Sequence, residues 1–294
     1  MSDQDHFFSR ASALLDRIEA LLPPVVETAP VTDTPAYRWT HQGYRGVLQP
    51  VKSISPVRLE HLLCIEKQKS RLVRNTRQFL AGLPANNALL WGPRGTGKSS
   101  LLKALLNEYT DQGLRLIEVE KSLLGELPYI VEQLPDKEHR YIIYCDDLSF
   151  EADDPGYKAL KVIIDGSISR IPDNLLIYAT SNRRHLLPEH QQDNQTSSII
   201  DGELHHGEAV EEKISLSERF GLWLAFHPFS QDDYLHIVAY WLDFFGLGEV
   251  DEETRQAALR WALEHGSRSG RAAHQFARDK AGRQQLDEQA TGKA

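Results

Sequence analysis

The sequence predicts an α/β fold: a parallel five-stranded sheet with helices on both faces, followed by a small all-α lid. Three observations carry that expectation. Short apolar runs at residues 88–91, 114–119, 141–145, 175–179 and 222–226 have the length and composition of buried strands. Helically spaced segments at 99–109, 123–134 and 157–168 separate them, and strands alternating with helices imply a parallel sheet. After Pro228 the strand signals stop, and three helical segments follow at 230–245, 251–265 and 270–285.

Taken in order, residues 6–22 place Phe7, Phe8, Ala11, Leu14, Leu15, Ile18, Leu21 and Leu22 at helical intervals, ended by Pro23-Pro24. This amphipathic helix either packs on its own domain or docks a partner. Residues 23–56 are rich in Pro and Thr, with Tyr37, Trp39 and Tyr44 interspersed, and read as an irregular arm. A helix is expected over 59–80. Gly113 stops the helix that follows the first core strand, and the polar stretch 187–213, punctuated by Gly202 and Gly207, reads as a long insertion. The expected organisation is therefore an N-terminal helix and arm over 1–56, an α/β domain over 57–228 and a helical lid with tail over 229–294.

Composition narrows the function classes. A net charge of −9 over 294 residues argues against general coating of nucleic acid, which needs clustered Lys and Arg. Lys67, Lys69, Arg71, Arg74 and Arg77 do fall on one segment, but their spacing spreads them around a helix, as on a solvated surface. Two distant cysteines, Cys64 and Cys145, indicate no disulfide framework, and a reducing cytoplasm is the expected home. No stretch has the length of a membrane span, and Asp3 and Asp5 do not suit a signal peptide's basic start. The histidines lack the paired spacing of a zinc site.

The chemistry concentrates in Trp91-Gly92-Pro93-Arg94-Gly95-Thr96-Gly97-Lys98-Ser99-Ser100, a G-x-x-x-x-G-K-S run set between a strand and a helix. Strand, glycine loop and helix form the setting that a phosphate-binding P-loop requires. Gly92, Gly95 and Gly97 have no Cβ, so the loop can aim successive amides at a phosphate, and the helix N-terminus adds its positive end. Lys98 is placed to reach the β- and γ-phosphates, and Ser99 to ligate Mg²⁺.

Asp146-Asp147 directly follows the apolar run 141–145. Ligands of open parallel sheets sit at the carboxyl ends of strands, so these acids should face the phosphate loop. Asp146 suits Mg²⁺, a hard cation that takes oxygen ligands, and Asp147 suits orientation or deprotonation of an attacking water.

With these residues in place the sequence resembles the AAA+ ATPases over nearly all of 57–282, with ATP and Mg²⁺ as the implied ligands. The resemblance makes Asn182, in Ala179-Thr180-Ser181-Asn182, the polar group that contacts the attacking water. It makes Arg219, in Ser217-Glu218-Arg219-Phe220, an arginine acting on a neighbouring subunit's nucleotide; a surface ion pair is the alternative. A lid arginine contacting nucleotide falls to Arg271, with Arg268 as runner-up, and an adenine-contacting stretch falls on Leu62 to Glu66, including Ile65. One branch fits more closely, a bacterial AAA+ group carrying a conserved domain of unknown function. It matches at residues 86–92, 146–151, 180–185 and 229–235.

Two departures shape the expectation. Members of the family usually carry Glu at the position of Asp147, so slow turnover is expected. The segment 123–127, where protein-threading members show an aromatic and a glycine, has no aromatic residue. The resemblance implies an ATPase working as a homo-oligomer, a hexamer among the forms open to it, on an unknown macromolecular partner. Nucleic acid is not the favoured partner, and no membrane is involved. The alternative is a nucleotide-dependent switch or binding module, including a DNA-replication-type loader.

Overall fold

The apolar runs pair side by side in the computed structural model of the protein. It describes residues 34–43, 45–134, 139–150, 154–165, 172–184, 186, 198–200, 203–205, 219–248 and 250–291, with 7, 10–14 and 17 near the start. Its strands are β1 (Ala36–Gln42), β2 (Arg45–Pro50), β3 (Ala88–Trp91), β4 (Leu114–Glu118), β5 (Arg140–Cys145), β6 (Leu175–Ser181), β7 (Ser198–Ile200), β8 (Glu203–His205) and β9 (Leu222–Ala225). Seven of them form one sheet in the order β2-β1-β4-β5-β6-β3-β9. The five expected strands are a contiguous parallel block that ends in the edge strand β9.

The sheet is therefore larger than the five strands expected, and it is mixed. The arm expected to be irregular folds over Ala36–Pro50 into a hairpin: β1 runs parallel to β4, and β2 returns antiparallel. Tyr37 and Trp39 alternate inward and are buried, and Gly43, which follows β1, takes a left-handed φ of 62°. Glu126 fixes the hairpin from outside, its two carboxylate oxygens each 2.7 Å from Trp39 Nε1 and His41 Nε2.

Each central strand feeds two hydrophobic layers. Ile142 and Tyr144 of β5 face one layer while Tyr141, Ile143 and Cys145 face the other; Leu176 and Tyr178 of β6 alternate with Leu175, Ile177 and Ala179 in the same way. Burial on both faces explains why these strands read as continuous apolar runs. It also pushes the Cys145 thiol up to about 12, leaving it an inert core group.

Helices α1 (Glu66–Leu80) and α2 (Lys98–Tyr109) cover one face. Leu101, Leu102, Leu105 and Leu106 of α2 are each at most 2% exposed, and burying a side chain of this size stabilises by about 1.5–3 kcal/mol. The Tyr178 hydroxyl, 2.9 Å from Asn75 Nδ2 and 3.0 Å from Thr76 Oγ1, pins α1 to β6. The expected helix over 59–80 is broken. A 3₁₀ turn at Leu59–His61 precedes α1, and Cys64 between them takes φ 61°, which no helix continues through. The helix expected over 123–134 likewise divides into a 3₁₀ stretch, Lys121–Glu126, and α3 (Leu127–Glu132). With α4 (Pro155–Asp165) these cover the second face.

The chain leaves the sheet after Ala225 and forms α5 (Gln231–Phe244), α6 (Glu252–Glu264) and α7 (Gly270–Thr291). Ser230 caps α5 in a reciprocal box with Asp233, Asp251 caps α6, and Tyr234 donates to the Ala258 carbonyl to tie those helices together. No helix of the described residues is long and apolar enough to cross a membrane. Most of the expected helix 6–22, and the insertion 187–213 apart from the antiparallel pair β7–β8, lie outside the described residues.

The hairpin offers a direct test. A Cβ on Gly46 would stand 2.0 Å from Trp39 Cζ2. Gly46→Ala should destabilise the protein by about 1–3 kcal/mol through overpacking, read as a lower urea midpoint with an unchanged m-value.

Candidate nucleotide-binding site

Strand register builds the site. Trp91 pairs with Ser181, so Gly92 emerges beside Asn182, and Cys145 pairs with Ala179, so Asp146 emerges beside Thr180. Gly92, at φ 142°, passes so close to β9 that a Cβ would lie 2.1 Å from the Phe226 carbonyl oxygen. Gly95, at φ 78°, is equally constrained from the lid, where a Cβ would meet Ser269 at 2.7 Å. Only glycine satisfies both the backbone angle and the approach at these positions.

Lys98 opens α2 and is nearly buried, its Nζ donating to the carbonyls of Gly92 (2.6 Å) and Pro93 (2.8 Å) and to Asn182 Oδ1 (3.2 Å). Burial lowers its pKa, opposed by the charges of Asp147 and Asp146. Thr96 Oγ1 closes the loop on the Pro93 carbonyl. Ser99 Oγ donates to Asp146 Oδ1 at 2.8 Å, and Thr180 Oγ1 donates to the same oxygen at 2.5 Å. Burial pushes the Asp146 carboxyl up, but hydrogen bonds from Thr180 and Ser99, with the nearby Tyr144 hydroxyl and the Lys103 charge, outweigh it and hold the group below its ordinary value.

Asp147 sits at φ 52°, a left-handed backbone that Asp adopts far more readily than most residues. Its amide donates to Thr180 Oγ1 and the next amide, of Leu148, to the Thr180 carbonyl. The carboxylate so presented accepts from Asn182 Nδ2 and from Arg94 Nη2 (3.2 Å). Thr180 thus holds both acids, a role that its strand-end position in sequence only hinted at.

The lid closes on this loop. The Gly270 amide donates to the Gly95 carbonyl at 3.0 Å, and Ser269 Oγ caps the first turn of α7. A cavity of about 540 Å³ results, bounded by Arg94 to Ser100, Asp146, Asp147, Thr180 and Asn182 on the sheet side and Arg271 on the lid side. Leu62, Leu63 and Ile65 line it too. Pro93 and Arg268 are exposed and lie off its lining. Arg219 stands three residues before Leu222, which pairs with Ala88 at the start of β3, so it lies at the opposite end of the strands from its own phosphate loop. His61, Trp241 and His274, which sequence motifs do not flag, also line the cavity; His61 is 180 and 213 residues from the other two, which are themselves 33 residues apart on different helices, separations that leave no local pattern to read.

A glycine loop between β3 and α2, paired acids after β5, a polar end to β6 and a helical lid make up a P-loop nucleotide-binding arrangement in a fold that resembles that of AAA+ proteins. The chain belongs to the family described as "Protein of unknown function (DUF815)", whose model matches residues 32–284. The fold is similar to Thermotoga maritima RuvB, described as a Holliday junction branch migration motor, with a TM-score of 0.51 at 15% identity, covering 76% of this chain and 64% of that one. A single-residue variant of the same protein gives 0.52 at 14% identity, with the same coverage. The chain is also 29% identical over 119 residues to the replication factor C large subunit of Ignicoccus hospitalis, 37% of this chain and 25% of that protein. It therefore spans a quarter of that relative's length and somewhat under two thirds of the RuvB chain.

The Asp146 network predicts a pH signature. The carboxyl titrates near 3.8 when unfolded and lower when folded, so the stability its charge contributes is complete above 3.8 and is lost as pH falls through the folded value. Urea unfolding from about pH 7 to about pH 2 should show the stability difference between wild type and Asp146→Asn holding steady, then narrowing below about pH 4. A constant difference across the range would contradict this.

Proposed function

We propose that the protein binds ATP with Mg²⁺ and hydrolyses it within a homo-oligomer, coupling turnover to the remodelling of a macromolecular partner. The observation that carries this reading is the convergence of Lys98, the Ser99–Asp146 pair and the Asp147–Asn182 pair on one cavity at the carboxyl ends of parallel strands. Lys98, held by two carbonyls, has the reach to exchange them for phosphate oxygens. Ser99 Oγ and the Asp146 carboxylate are hard oxygen donors already side by side, and they would hold Mg²⁺, which neutralises phosphate charge when bound. Asp147 takes the proton of the attacking water and Asn182 orients it.

Arg219 lies at the opposite end of the strands from its own phosphate loop, which suits action on the site of a neighbouring subunit, where such an arginine stabilises developing phosphate charge. Arg271 contacts the nucleotide from the lid, and Ile65 the base. The partner is more readily a protein than nucleic acid: the net charge is −9, and Lys69 donates internally to the Leu59 and Leu62 carbonyls. Threading through a central pore is disfavoured. Leu124 is buried, and Glu126 is bound by Trp39 and His41, so the segment where a pore loop would lie is pinned.

Steady-state ATP turnover tests the reading. Asp147→Asn should lower kcat by about a hundredfold or more while ATP still binds with nearly wild-type affinity. Arg219→Ala should lower turnover by about a thousandfold. Unchanged turnover in both variants, with ATP still altering partner binding, would support a nucleotide switch instead.

A further inference from the structure

One buried hydroxyl beside the phosphate loop is left over by the bonds described above. Tyr144 lies on β5 two residues before Asp146, so strand alternation sends both side chains toward the face that α2 covers. Tyr144 is 2% exposed, and its hydroxyl oxygen, shut off from solvent, meets no hydrogen-bond partner among the described residues. Ser99, in the first turn of α2, and Asp146 are polar side chains that face this hydroxyl, and neither stands in bonding geometry to it. Tyr178 is its register partner on β6 and shares its layer, yet there the hydroxyl is bound by Asn75 and Thr76. Phenylalanine would fill the space at 144 equally well, so packing does not account for the oxygen.

The side chains next to it explain the oxygen. Ser99 and Thr180 donate to Asp146 at 2.8 and 2.5 Å, and both bonds end on Oδ1, one oxygen of the carboxylate. Mg²⁺ demands near-ideal octahedral geometry, and hydrogen bonds from behind its ligands fix their orientation. Ser99 and Asp146 fit that ion as hard oxygen donors, and a phenol, which donates one proton and can accept another, is suited to stand behind such a pair. A hydroxyl buried without a partner costs free energy, and proteins carry few of them. That cost has a reason if the bond forms in one state of the site and not in the other.

Resting on the proposed nucleotide site, we propose that Tyr144 is a positioning residue for its metal ligands: the hydroxyl bonds to the Ser99–Asp146 pair in the Mg²⁺–nucleotide state and is idle in the metal-free one. Effects of opposite sign follow for the two states. Tyr144→Phe removes an unsatisfied buried oxygen from the metal-free protein, which leaves its stability equal or higher. In the loaded protein the same change removes a bond to a metal ligand, which loosens the hold on Mg²⁺. A tyrosine that served packing alone would leave that hold untouched.

Titration calorimetry of ATP at stepped Mg²⁺ concentrations and in EDTA, with urea unfolding in EDTA, reads both states. Tyr144→Phe should raise the Mg²⁺ concentration that gives half-maximal enhancement of ATP binding by about tenfold to a hundredfold, the range for partners that stand behind metal ligands. Its ATP affinity in EDTA should stay within about twofold of wild type, and its urea midpoint in EDTA should equal or exceed that of wild type. Tyr178→Phe, which strips Asn75 and Thr76 of a partner in the same layer, should do the reverse: a lower midpoint with an unchanged Mg²⁺ requirement. An unchanged Mg²⁺ requirement in Tyr144→Phe, an equal loss of ATP affinity with and without Mg²⁺, or a clearly lower midpoint would overturn the role of Tyr144 and leave the nucleotide site standing. A wild-type protein that binds no ATP, or whose ATP binding ignores Mg²⁺, would overturn the proposed site together with this role.

Discussion

Every distance in the candidate site depends on the register of three neighbouring strands. Trp91 stands opposite Ser181 on one side and Ala225 on the other, and Cys145 stands opposite Ala179. That alignment ends β3 level with β6, and β5 two residues earlier, so the glycine loop, the two acids and Asn182 leave the sheet at the same edge. A slip of one residue would exchange the side chains of two hydrophobic layers, sending Ile143 and Ile177 where Tyr144 and Tyr178 now pack. Because both faces are buried, the core that stabilises the fold also specifies the register that assembles the chemistry.

Thr180 converts register into charge placement. Its hydroxyl serves Asp146 and the Asp147 amide, and its carbonyl serves Leu148, so the turn after β5 is tied to the end of β6 by three hydrogen bonds. The left-handed angle of Asp147 is a consequence of that tie. It gives a physical reason for Asp where the AAA+ resemblance leads one to expect Glu: Asp tolerates this backbone with little strain. Binding to Asn182 and Arg94 then keeps the shorter carboxylate over the phosphate loop. On the other side of the cleft, one backbone bond from Gly270 to Gly95 couples the lid to the same loop.

The parallel block of the sheet was legible because burial on both faces leaves unbroken apolar runs, and the phosphate loop because its glycines and lysine are contiguous. The hairpin was not. Its inward alternation at Tyr37 and Trp39 is short and flanked by the Pro and Thr that usually mark loops, and its strength comes from Glu126, about 85 residues away. Cys64 broke a helix that periodicity alone extended to Leu59, since a left-handed residue leaves no mark in a hydrophobic pattern. The acids and Asn182 could be placed by strand ends, but Arg94 as a partner of Asp147, and the rings of His61, Trp241 and His274, depend on tertiary packing.

Ser99 and Asp146 are proposed to form a metal site beside a lysine that turns to phosphate. A crystal structure of the protein with Mg²⁺ and a non-hydrolysable ATP analogue tests this most directly. It should show the metal bound by Ser99 Oγ, with Asp146 holding it directly or through water, and Lys98 Nζ moved from the Gly92 and Pro93 carbonyls to the β- and γ-phosphates. Phosphates seated elsewhere in the cavity, or Lys98 still on those carbonyls with the metal away from Ser99, would contradict it.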